Sequence, residues 1–326
     1  MLRIALLGAG SHSEWAHGPS LARYAEEHPG EVALAAVCDR REERARLFCA
    51  KFGFARAYPD LEEMLHAEML DACWVVAPVE STRELAGRVM EHGLPTFLEK
   101  PPGNNLEEAW ELAEIAARKG TPNMVAFNRR WAPCTRQALA WAEERAPFEY
   151  LYARMLRLNR RDERFAFGTG IHLLDCVRAL GEAAMWGLKS ARAAVTHAAA
   201  GALNFHVDLT FGSGLGRCDI LPTCGLLDES YTLFGRNCTV AFALPWTGGA
   251  GITSEGRAEL WVEGKLAEAH TWPAEPTFVN SGFYGEAMEF ISALQEGRSP
   301  SPTCQQAVDS VALAEAAQEG REIEFV

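Results

Sequence analysis

Two side chains in this sequence have the chemistry to polarise an oxygen or move a proton at a fixed point. Lys100 follows the short apolar run Thr96-Phe97-Leu98, within Glu99-Lys100-Pro101. An ammonium held at a strand end can hydrogen-bond a substrate oxygen and stabilise it as charge develops there. His172 lies in Gly170-Ile171-His172-Leu173-Leu174-Asp175, near the start of an expected helix over 170–180. An imidazole that titrates near neutrality can take a hydroxyl proton and return it in the reverse direction. Asp175 projects to the same side of that helix and is the third candidate, more as an orienting group than a reacting one. The plain alternatives are a surface lysine paired with Glu99 and a histidine that packs a helix end.

A third constellation binds rather than reacts. Leu2 to Leu7 reads as a buried strand running into Gly8-Ala9-Gly10, Pro19 to Glu27 as a helix, and Val32 to Cys38 as a second strand ending at Asp39. Glycines in such a turn let the backbone approach a pyrophosphate, whose charge sits at the helix amino end. Gly8, Gly10, Ser11, His12 and Ser13 are therefore cofactor candidates, and Asp39 would accept from the adenosine ribose hydroxyls. Ser13 stands where a third Gly or Ala is expected and is followed by Glu14-Trp15, so helix and strand are expected to pack less closely here. Asp39 favours NAD, while Arg40 beside it could take a 2'-phosphate, so NAD is expected with NADP possible.

The surrounding pattern supplies the scaffold. Helical stretches at 40–52, 61–67, 81–92 and 106–119 alternate with strand-like runs at 72–76, 96–98 and 124–127. Such alternation means parallel βαβ units in a doubly wound Rossmann sheet. Ligands sit beyond the carboxyl ends of its strands, an edge that collects Gly8, Asp39, Ala77, Pro78, Glu99, Lys100 and Asn128. From about Pro147 the pattern changes to successive strand-like runs across 191–242 and at 260–262, with closing helices at 285–295 and 305–318. The expected fold is α/β: residues 1–122 an NAD(P)-binding Rossmann domain, and 123–326 an α+β substrate and oligomerisation domain on a large open, mainly antiparallel sheet. A connecting strand and helix would occupy 123–147.

Length and composition limit the class. The 326 residues suit two domains, and the formal charge of −13 argues against nucleic acid as a partner. No apolar run approaches a membrane span and the chain opens on a strand, so a cytoplasmic protein with no membrane partner is expected. Nine scattered cysteines lack Cys-x-x-Cys spacing and read as reduced core residues, with no metal expected.

Gly8-Ala9-Gly10, the strand ending in Asp39, Ala77-Pro78, Glu99-Lys100-Pro101, 126–130 (Ala-Phe-Asn-Arg-Arg) and 170–175 occur in the order found in the glucose-fructose oxidoreductase and inositol dehydrogenase (Gfo/Idh/MocA) family. The chain resembles it almost continuously through the first half and again at Gly282-Phe283-Tyr284-Gly285-Glu286. The resemblance implies an NAD(P)-dependent oxidoreductase acting on a secondary alcohol of a sugar, polyol, sugar acid or similar small molecule, with Lys100 in the reactive role. Substrate contacts would fall to Lys100, Arg157, Thr169, His172 and Tyr284. Arg157 belongs to a basic cluster with Arg154, Arg160, Arg161 and Arg164 that could recognise an anion, or could form a solvated face paired with acids. The chain departs from the family at Gly168, where members with a dehydrogenase triad carry an aspartate four residues before the histidine. Either Lys100 and His172 suffice, or another acid such as Asp162 or Asp175 substitutes, or catalysis is lost. The last case is a non-catalytic dinucleotide-binding sensor or assembly protein. An open sheet needing cover predicts a homodimer or homotetramer.

Overall fold

The computed structural model describes residues 1–198, 201–248 and 252–325, so residues 199 and 200 of the expected strand-rich stretch and Val326 lie outside it. The chain forms two compact units, Met1–Ala126 with Phe283–Val308, and Phe127–Gly282 with Asp309–Val326.

The first unit opens with β1 (Leu2–Leu7), a π-helical turn (Ser13–His17), α1 (Gly18–Glu27), β2 (Val32–Cys38), α2 (Glu42–Phe52), β3 (Arg56–Tyr58) and α3 (Leu61–Ala67). It continues with β4 (Ala72–Val75), α4 (Val79–Glu91), β5 (Thr96–Glu99), α5 (Leu106–Lys119) and β6 (Asn123–Ala126). The strands pair in parallel in the order β3-β2-β1-β4-β5-β6. Strands covered on both faces read as continuous apolar runs, and β4, β5 and β6 are buried at every position. The helices are punctuated as the sequence implies. Asp60 accepts from the Glu63 N–H, Asn105 accepts from the Glu108 N–H, and Gly53 and Gly120 end α2 and α5 in left-handed conformation. The sheet reverses order between β1 and β4, so Gly8 and the residues after Val75 flank the switch point.

The second unit contains α6 (Pro133–Arg145), β7 (Tyr150–Leu156), a second π-helical turn (Ala166–Gly170), α7 (Ile171–Ala184), β8 (Leu188–His197), β9 (Leu203–Phe211), β10 (Leu215–Leu221), β11 (Asp228–Gly235) and β12 (Cys238–Ala243). A small hairpin, β13 (Trp246–Gly248) and β14 (Ile252–Ser254), precedes β15 (Gly256–Val262), β16 (Lys265–Trp272) and the single turn α8 (Thr277–Asn280). Nine strands run in the order β16-β15-β12-β11-β7-β10-β9-β8-β17, with β17 (Glu322–Glu324) closing one edge. The sheet is antiparallel except between β7 and β10. That pair is parallel because α7, β8 and β9 intervene in the chain, supplying the crossover a parallel neighbour needs. Side chains alternate cleanly along β10 and β11, one face buried and the other open.

Chain order does not follow unit order at the carboxyl end. α9 (Phe283–Glu296) returns to the first unit, where Phe290 packs edge-on to Trp74 and Phe97 at 5.0 and 5.7 Å. The segment after it is tied to β6: Val125 N–H donates to Pro302 O and Cys304 N–H to Asn123 Oδ1. α10 (Cys304–Glu319) starts in this unit and ends in the second.

Candidate functional site

At the switch point of the first sheet, Gly8 cannot be replaced. Its φ is +100°, and a Cβ there would lie 2.1 Å from the Val76 carbonyl oxygen. Gly10 differs, since a Cβ there would meet nothing within 4 Å. The space that Gly10 leaves is therefore not needed by the protein's own packing, which is what close approach of a pyrophosphate to this backbone requires. Ser13 is fully buried and its hydroxyl donates to the Gly8 carbonyl, so the serine at the third small position is tied into the turn. Asp39 fixes the turn from β2: Oδ2 accepts from Ala9 N–H and Oδ1 from Arg41 N–H, both at 2.9 Å. Each carboxylate oxygen keeps acceptor capacity for a ribose hydroxyl. Ser11 and Arg40 are exposed. Pro78 caps α4, with Ala77 before it, and both carbonyls accept from the Thr82 hydroxyl. These residues fit a dinucleotide.

β5 delivers Glu99 and Lys100 to the same edge. Glu99 is buried, and its Oε1 accepts from His12 Nε2 at 2.8 Å and His17 Nε2 at 2.7 Å, while Oε2 accepts from the Lys100 backbone N–H at 3.1 Å. Burial alone would raise the Glu99 carboxyl, but these donors hold it well below the usual carboxylate range. Burial lowers the His17 pKa, outweighing the effect of Glu99, so His17 is a neutral donor. The three side chains cluster as metal ligands can. A metal on His17 Nε2 would force the ring proton onto Nδ1, which is buried without an acceptor; the geometry fits a hydrogen-bonded carboxylate. His17 had no place among the expected site residues. Five residues make about 1.4 turns of α-helix, which hides the pairing with His12, and the wider i→i+5 turn over Ser13–His17 brings the two rings to one carboxylate.

Lys100 belongs to the first unit and His172 to the second. His172 is buried in the first turn of α7, directly after the π-helical turn that contains Gly168 and half-buried Thr169. A Cβ on Gly168 would meet nothing within 4 Å. Asp175, expected as a catalytic group, is enclosed: Arg130 Nε and Nη2 each donate to it at 2.7 Å, and so does the Ser310 hydroxyl. With no exposed surface, it anchors α7 and is not a replacement for the absent aspartate. Asp162 is exposed and pairs with Arg160 at 2.8 Å.

Three other expected contacts serve internal structure. Asn128 is fully buried, its amide donating to Ser281 O and accepting from Arg129. Arg157 is buried against Glu229 and lies 4.2 Å over the Trp246 ring, while Arg154 pairs with Asp228. For these two the acid-paired reading holds, and for Arg157 the pair lies in the core, not on a solvated face. Tyr284, on α9 of the first unit, donates to Glu27 and carries Arg23 over its ring.

Residues 2–127 match the model of an oxidoreductase family described as having an NAD-binding Rossmann fold. Over 133 residues the chain is 32% identical to the scyllo-inositol 2-dehydrogenase (NADP(+)) IolU of Bacillus subtilis, covering 41% of this chain and 39% of that protein. It is 31% identical over 136 residues to the D-glucoside 3-dehydrogenase of Escherichia coli, covering 42% and 37%. The alignments thus span about two fifths of these curated relatives. Among solved structures, an oxidoreductase from Agrobacterium radiobacter crystallised with NAD+, L-tartaric acid and magnesium superposes with a TM-score of 0.82 at 20% identity, covering 99% of this chain and 98% of that one. A Gfo/Idh/MocA family oxidoreductase from Vibrio cholerae gives 0.80 at 23% identity, covering 98% of each. These structures share the fold over both units. Over residues 2–127 the chain is thus similar to the Gfo/Idh/MocA oxidoreductase family with its NAD-binding Rossmann fold.

Proposed function

We propose that this protein is an NAD(P)-dependent dehydrogenase acting on a secondary alcohol of a sugar, polyol, sugar acid or similar small molecule. The observation that carries the reading is the switch-point edge, where an irreplaceable Gly8, an unfilled space at Gly10 and a braced Asp39 share one sheet edge with Lys100. The relatives named as inositol and glucoside dehydrogenases support the substrate class. Gly8, Gly10, Ser11, His12, Ser13, Asp39 and Pro78 would hold the dinucleotide, whose nicotinamide supplies the hydride acceptor or donor. The Lys100 ammonium hydrogen-bonds the reacting oxygen and stabilises charge on it as the carbinol is oxidised. His172 takes the hydroxyl proton on an imidazole nitrogen and returns it in the reduction. Asp175 acts only by fixing α7 beneath His172. NAD is the preferred cofactor, because a carboxylate at Asp39 repels a 2'-phosphate.

Lys100→Met tests the assignment. Dinucleotide affinity by calorimetry should stay near wild type while turnover falls by about two to four orders of magnitude; undiminished turnover would overturn it. Gly168 favours a second reading, a dinucleotide-binding sensor or assembly protein without turnover. Binding of NAD or NADP with no redox change over a broad panel of alcohols would support that instead.

A further inference from the structure

The Glu99 cluster lies outside the chemistry assigned above, although it touches both of the parts that the chemistry needs. His12 comes from the phosphate-side turn, two residues after Gly10. Glu99 comes from the end of β5, and its second oxygen holds the backbone N–H of Lys100. His17 is wholly buried behind them, with its ring edge-on to Phe97 at 5.5 Å and Phe283 at 5.8 Å. His12 is the exposed member, its side chain about one third accessible, and it lies edge-on to Trp15 at 4.9 Å and Phe283 at 5.6 Å. The carboxylate has three N–H donors, from two imidazoles and one backbone amide.

A buried carboxylate is costly unless each oxygen is satisfied, and charge-assisted hydrogen bonds are short and directional. The cluster therefore fixes three things against one another: the glycine turn through His12, the π-helical turn through His17, and the Lys100 backbone through Glu99 Oε2. The i→i+5 turn has a cost in helix geometry, and such turns recur at functional sites. Here its structural product is a pair of histidines on one acid.

We propose that His12, His17 and Glu99 form a positioning unit that couples the dinucleotide turn to Lys100. It makes no contact with the reacting atoms; it presets the turn for the pyrophosphate and the strand end for the lysine. The proposal rests on the dehydrogenase reading, and it adds His17 and Glu99 as residues that act through others.

The test separates the hydrogen bond at His12 from its ring packing. His12→Phe keeps an aromatic ring against Trp15 and Phe283 but removes the donor to Glu99. His12→Gln loses the ring but keeps an N–H of similar reach. NADH and NADPH are titrated against wild type and both variants, using quenching of tryptophan fluorescence, with thermal melts to verify folding. We expect His12→Phe to weaken binding of the preferred dinucleotide about tenfold, the loss of roughly one charge-assisted hydrogen bond. Its kcat on a responding alcohol should fall further, while His12→Gln restores both. The opposite order, with His12→Phe near wild type and His12→Gln impaired, would make the role one of packing and overturn the proposal. Equal, wild-type binding and kcat in both variants would overturn it as well. If wild type binds neither dinucleotide, the dehydrogenase reading itself fails, a result distinct from either. Glu99→Gln gives a second handle, because its amide N–H2 would face the Lys100 N–H and should lower kcat more than affinity; unchanged kcat would count against the coupling.

Discussion

Asp175, three residues after the proposed proton carrier His172, shows why an acid near such a histidine is not automatically a base. Asp175 is held by a bidentate Arg130 and by Ser310 with no surface exposed, so removing it strands a buried guanidinium. Asp175→Ala should destabilise the fold by about 3–5 kcal/mol, read as a lower denaturant midpoint, and a shift under about 1 kcal/mol would contradict the anchoring role. Burial would raise the Glu229 carboxyl, but Arg129 and Arg157 beside it bring it down to about 2. A folded-state pKa below the unfolded value means that the stabilisation is complete above the ordinary carboxylate range and is lost as pH falls toward 2. Stability in the wild type should therefore decline between about pH 4.5 and 2, and more shallowly in a Glu229→Gln variant that still folds. The sequence marked His172, Asp175 and Arg157 as candidates because of residue type and spacing, but it carried no sign of their partners. Ser310 and Glu229 lie 135 and 72 positions away from Asp175 and Arg157, a separation that no local pattern encodes.

Elements were legible where both faces are buried. Val32–Cys38 is the observed β2 to the residue, because a central parallel strand is a continuous apolar run bounded by turns. β3 escaped notice, since Arg56–Tyr58 is a three-residue edge strand with only Tyr58 buried. Both π-helical turns escaped as well, because helical periodicity is read at 3.6 residues and a wider turn breaks the phase. The first contains Ser13 and His17 and follows His12, and the second leads directly into α7, which carries His172. Two substitutions test these elements. Gly8→Ala should abolish dinucleotide binding and weaken the fold, because its Cβ collides with the Val76 carbonyl; normal binding would mean that the turn is not the site. Gly168→Asp meets open space and should leave the melting temperature nearly unchanged. We expect it to raise turnover by giving His172 an acidic neighbour in the position that the family resemblance implies, and a fall in turnover would argue that the glycine is selected.

For the whole molecule, the alternation of strands and helices revealed the first unit, and the dense strand runs revealed an open sheet in the second. The return of α9 to the first unit was hidden, because a helix is assigned to a unit by what it packs on, and Phe290 finds Trp74 more than 200 residues back. The open face of the second sheet presents Tyr150, Leu215 and Phe234 at paired positions of β7, β10 and β11, with Trp261 of β15 continuing the row across Thr239 of β12, all four large side chains substantially exposed. An apolar surface of this kind calls for cover, so we propose a homodimer or homotetramer; a monomeric mass by light scattering at micromolar concentration would contradict it. The central claim is hydride exchange with an alcohol, and absorbance at the reduced-nicotinamide band tests it most directly. Wild-type protein with NAD, incubated with polyols, sugars and sugar acids, should generate that absorbance with at least one class and more weakly with NADP. Saturable NAD binding with no absorbance change anywhere on the panel would contradict the account.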